Sequence, residues 1–118
     1  MAGTILYLPP PPSVNRTRRL HGPGYAALER WEKLADKDIM AGGGMKRLAR
    51  ITGPYQASIV FDENLVNLDL DNGLKSIIDY ARRLDLVVDD DKKHFRRLIA
   101  EWGHAPSGCR LTLTEMST

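Results

Sequence analysis

Residues 67–91 read "NLDLDNGLKSIIDYARRLDLVVDDD". Leu74, Ile77, Ile78, Ala81 and Leu84 recur at three- and four-residue spacing, so one face of a helix is apolar and the stretch predicts an amphipathic helix. Asp71 or Asn72 is suited to cap its start. Carboxylates gather at both ends: Asp69 and Asp71 before the helix, Asp89, Asp90 and Asp91 after it.

Working outward, "YQASIVF" (55–61) predicts a strand before this helix, and "CRLTLTEM" (109–116) alternates like a half-buried strand. "HFRRLIAEWGH" (94–104) fits helix or strand by pattern. Its join to 109–116 through the turn-rich "HAPSG" favours a hairpin. At the N-terminus, "GTILYL" (3–8) ends in four prolines and predicts a strand near a sheet edge, with the prolines as a rigid connector. From Tyr25 to about Met40, the spacing of Ala27, Leu28, Trp31, Leu34, Ala35 and Ile39 predicts a second amphipathic helix. The order is β-α-β-α-β-β. This is an α+β chain with a small mixed sheet of about four strands and two helices, forming one domain over residues 1–118.

Size and composition narrow the class. A chain of 118 residues with 42% hydrophobic content suits one globular domain with a modest core. No run is long and apolar enough to span a membrane, and "MAGTILYLPP" lacks the basic region of a signal peptide, so a soluble, cytoplasmic protein is expected. The one cysteine, Cys109, excludes an internal disulfide framework and reads as a small core residue. "AGGGMK" lacks the spacing of a phosphate loop and the hydroxyl residue after the lysine, so it reads as a helix break. The net charge is +2, but residues 1–50 carry +5 and residues 51–118 carry −3. That asymmetry suits a basic arm at Arg16, Arg18 and Arg19 facing an anion, with an acidic site elsewhere.

Three chemistries compete for "DLDNG". A calcium loop starting at Asn67 fails, because Asn72 occupies its glycine position and Ile78 its bidentate glutamate position. An Asx turn capping the helix is the plainest alternative. The third is a metal site. Asp69 and Asp71 are two residues apart, so an extended backbone points both side chains the same way. Lys75 lies one turn beyond Asp71. If the sheet returns the 89–91 segment to this edge, three carboxylates converge beside a lysine, and such charges repel unless a cation joins them. Hard oxygens suit Mg²⁺ or Mn²⁺, and such an ion supports phosphodiester hydrolysis. His94 and His104 have no paired ligand at usable spacing and read as surface or strand residues.

Taken in order, "PPPPSVNR", "TGPYQASIVF", "DLDNGLKSIIDYARRLDLVVDDD" and "GCRLTLTEM" resemble the RusA family of Holliday junction resolvases. The resemblance runs over most of the chain and is weakest in residues 20–50. Its most specific part is D-x-D-N-x-x-K followed by an Asp pair. The resemblance implies a RusA-like fold and a homodimeric, Mg²⁺-dependent crossover junction endonuclease, with Mn²⁺ substituting, that nicks opposing strands of four-way or branched DNA. Carried over by position, it implies Asp69, Asp71 and Asp90 as metal-binding catalytic residues, with Asp89 the rival to Asp90. It likewise implies Lys75 as the essential lysine, Asn72 as site-ordering, and Asn15 and Arg16 near the site or the DNA, beside Arg18 and Arg19 of the basic arm. Leu68 departs from the pattern, because family members often carry a run of Arg there. A less selective branched-DNA nuclease and a non-catalytic DNA-binding module are the competing expectations.

Overall fold

The computed structural model describes residues 3–12 and 23–117, with side chains described from residue 26 onward in the second stretch. The elements are β1 (Gly3–Leu8), α1 (Pro23–Ala41), β2 (Tyr55–Asp62), α2 (Leu74–Arg83), β3 (Phe95–Gly103) and β4 (Cys109–Glu115), with a 3-10 turn at Met45–Arg47. The expected order of strands and helices, two helices on a four-stranded mixed sheet, is therefore the observed one.

The sheet order is β1-β4-β2-β3. β4 runs antiparallel to both β1 and β2, and β3 pairs with β2 in parallel. This corrects the expected hairpin: β3 and β4 are not neighbours. At the end of β3 the chain passes over the end of β2. The buried Asp62 carboxylate organises this crossing, accepting hydrogen bonds from the backbone N–H of Ala105 (3.0 Å), Asn64 (2.9 Å) and Leu65 (3.1 Å). The physical reason lies in the strand sequences. Cys109, Leu111 and Leu113 are fully buried and demand a central position, whereas β3 exposes Leu98 and Trp102 and tolerates the edge.

One face of the sheet carries the core. Leu6 and Leu8 of β1, Tyr55, Ala57, Ile59 and Phe61 of β2, and the three apolar residues of β4 are all buried. From α2 come Ile77, Ile78 and Ala81, with Leu74 and Leu84 partly buried against them, which is the face the spacing predicts. α1 buries a narrower stripe than expected: Trp31 and Ala35 are buried, but Leu34 is 53% exposed. Trp31 also donates its indole N–H to the Pro9 carbonyl at 2.8 Å, fixing the proline connector to α1. The connector then packs on the start of α2. A Cβ built on Gly73 would meet Pro11 Cγ at 2.8 Å, so glycine is what lets the two segments touch.

Candidate functional site

The acidic segment after α2 is placed by the way the helix ends. Asp85 adopts a left-handed conformation (φ 60°), and Leu86 N–H donates to the Ala81 carbonyl at 3.1 Å, closing the helix and turning the chain back. Aspartate tolerates that conformation better than most residues. Arg50 holds the turn through the Asp85 carbonyl (3.0 Å) and carboxylate (3.1 Å). Ile51 N–H then bonds the Leu86 carbonyl at 2.8 Å, and Ile51 pairs with Val87 in a parallel bridge. Further along, the hydroxyl of the buried Tyr55 donates to the Asp89 carbonyl at 3.0 Å. The segment 86–89 is thus fastened to the segment leading into β2, which delivers Asp89 and Asp90 to the flank of α2.

There, Lys75 Nζ stands 3.7 Å from Asp90 Oδ2 and 3.1 Å from Asp79 Oδ1. Arg82, two turns along the same helix, places Nη1 3.4 Å from Asp90 Oδ1 and 3.8 Å from Asp79, and Nε 3.6 Å from Asp89 Oδ1. Lys75, Asp79, Arg82, Arg83 and Val88 line a shallow cleft of about 430 Å³. Burial pushes the Tyr55 phenol up to about 12, and the nearby Asp90 charge adds to the shift.

Of the residues singled out in the sequence, the structure brings Lys75 and Asp90 together. Asp89 is turned differently: its carboxylate accepts from Asp90 N–H at 2.8 Å and meets Arg82, while Lys75 pairs with Asp90. Asp69 and Asp71 are both exposed on the turn before α2, and Asn72 N–H donates to the Asp69 carbonyl at 2.9 Å. The N-cap falls elsewhere than the expected Asp71 or Asn72: α2 starts at Leu74 and its N-cap is Gly73. Asn15, Arg16, Arg18 and Arg19 lie outside the described residues. His94 sits at the entry to β3 with Nδ1 2.6 Å from Asp91, and that bond, chiefly, holds the Asp91 carboxyl below its ordinary range.

Asp79 and Tyr55 are the residues the sequence reading missed. Asp79 is four positions beyond Lys75, a spacing that signals an ion pair on a helix. The role of Tyr55 depends on the pairing of two distant segments and leaves no local signal.

The donor set, aspartate oxygens alone, has the chemistry of a hard dication site. The arrangement does not fit one. Among the described residues no three His, Cys, Asp or Glu side chains form a group able to hold a metal ion, and both Asp90 oxygens face cations of the protein itself. No protein-family model matches the sequence, and no curated protein does. Among the described residues, no helix is long and apolar enough to cross a membrane.

Proposed function

We propose that this chain is a RusA-like endonuclease that resolves four-way DNA junctions by hydrolysing phosphodiesters. The observation that carries the reading is the approach of Lys75 to Asp90, 3.7 Å apart although fifteen positions separate them. The lysine of D-x-D-N-x-x-K and the second aspartate of the following pair are thereby ion-paired at the flank of α2, together with Arg82. A cation in that position supports the charge that develops on a phosphate under attack. Arg82 and Lys75 on the exposed side of α2 are also placed to meet a phosphate backbone.

Mg²⁺, with Mn²⁺ substituting, is the cofactor that the resemblance implies, with Asp69, Asp71 and Asp90 as the ligands it would use, although the described residues do not gather them into a metal-binding group. A homodimer is part of the proposal, since paired nicks in opposing strands call for two sites related by a two-fold axis. So is a cytoplasmic location, where such DNA is met. The test is cleavage of a synthetic four-way junction and of linear duplex, side by side, in Mg²⁺. Selective nicking of the junction supports the resolvase, and equal cutting of both substrates points to a less selective nuclease. A second reading, a DNA-binding module without catalysis, is favoured by the finding that no three ligating side chains gather among the described residues. It predicts junction binding with no cleavage under any metal condition.

A further inference from the structure

β3 is an edge strand. Among the described residues it pairs with β2 alone, and its outer row of backbone N–H and C=O groups faces no strand. It is nine residues long, contains no proline, and leaves Leu98 and Trp102 exposed, the form of edge that invites a further strand. The register with β2 sorts its side chains. Leu98, Ala100 and Trp102 pair with Ala57, Ile59 and Phe61 on the face that carries the core, and Ile99 and Glu101 pair with Ser58 and Val60 on the other, where Arg97 pairs with Gln56. Arg97 and Glu101 are exposed, and among the described residues neither has an ion-pair partner. They cannot serve each other, because four positions of extended strand set them about 13 Å apart.

The spacing is self-complementary. When a second copy of β3 runs antiparallel to the first about a two-fold axis through Ile99, Arg97 of each copy stands opposite Glu101 of the other. In the same register Leu98 stands opposite Ala100, so an exposed leucine gains an apolar neighbour, and Arg96 stands opposite the exposed Trp102. Moving the axis to Leu98 or Ala100 sets Arg97 against Ile99 or Gly103 and loses both ion pairs. We propose that two copies of this chain associate through β3, in the register centred on Ile99, and join their four-stranded sheets into one. The axis is perpendicular to the sheet, so both copies of α2, each with its Lys75–Asp90 pair, lie on the same side of it. The proposal names the interface of the homodimer in the nuclease reading, and rests on that reading only for the expectation of a two-fold.

The experiment is sedimentation equilibrium of the full chain for wild type, Arg97→Glu, Glu101→Arg and the double charge swap, with thermal unfolding to show that each variant is folded. Either single reversal sets like charges opposite each other at two symmetric places, and is expected to weaken the dimer by about tenfold. The double swap restores both pairs and is expected to return the dissociation constant to near the wild-type value. Register is read by Ile99→Cys, which meets its own copy at the axis and is expected to form a disulfide-linked dimer on oxidation. Arg97→Cys, about 13 Å from its copy, is expected to form little, and the native Cys109 is buried. If wild type is a dimer but the single reversals associate as tightly, the double swap fails to recover, or Ile99→Cys does not cross-link, β3 in this register is not the interface, and the homodimer of the nuclease reading stands through another surface. If wild type is a monomer at every concentration, the interface and the homodimer fall together, whereas the hydrolytic chemistry is judged separately by junction cleavage.

Discussion

Replacing Gly73 with Ala sets two effects of opposite sign against each other. Gly73 has φ −94° and ψ −7°, a helical conformation open to any residue. On backbone grounds, then, Ala stabilises by restricting the unfolded chain, by about 0.4–1 kcal/mol. Against this, the new methyl would stand 2.8 Å from Pro11 Cγ and 3.3 Å from Phe61 Cε1. Neither neighbour yields easily: Pro11 belongs to a connector that Trp31 fastens through the Pro9 carbonyl, and Phe61 is a buried β2 residue. Overpacking of this kind costs about 1–3 kcal/mol, so the net expectation is a loss of about 1–2 kcal/mol. For a domain of this size that is a fall in Tm of about 4–8 °C. Gly42→Ala is the control. Its added methyl meets nothing closer than the Asp38 carbonyl at 3.5 Å, and it is expected to be neutral or slightly stabilising. Thermal unfolding by circular dichroism measures both. A Gly73→Ala protein as stable as wild type would refute the packing of the proline connector on the start of α2.

Two further perturbations test how the acidic segment is held. Tyr55→Phe removes the hydroxyl that binds the Asp89 carbonyl and is expected to cost about 1 kcal/mol, read by urea unfolding. Because the folded protein keeps the Tyr55 proton where the unfolded chain releases it, its contribution is fully present below about pH 10 and erodes toward pH 12. Tyr55→Phe should therefore flatten the alkaline loss of stability, and an unchanged slope would count against the burial of this phenol. Asp85→Val places a β-branched residue at φ 60° and loses the Arg50 pair, with an expected cost of about 1–2 kcal/mol in the same assay.

Where residues signalled by period, the structure agrees with the sequence. Ile77, Ile78 and Ala81 form the buried face of α2, and Cys109, Leu111 and Leu113 that of β4. What the pattern could not supply is order in space. "HAPSG" has the composition of a hairpin loop, yet the chain uses it to cross β2, and only the buried Asp62 that organises the crossing marks the difference. The candidate site divides in the same way. Lys75 and the acidic pair stand out locally, but the preference of Lys75 for Asp90 over Asp89 depends on Tyr55 and Ile51 holding the 86–89 segment from another part of the chain. Leu68 is partly buried and packs against the core, so at this position the chain offers apolar contact where the RusA pattern it resembles often has a basic side chain.

The most direct measurement is the nicking of a labelled four-way junction in Mg²⁺ by wild type and by Asp90→Asn, with junction binding followed by gel shift under the same conditions. The account predicts paired nicks in opposing strands by wild type, and an Asp90→Asn protein that still binds the junction but leaves it uncut over the same time. Equal cutting by the two proteins, or no cutting by wild type in either Mg²⁺ or Mn²⁺ despite tight binding, would contradict it.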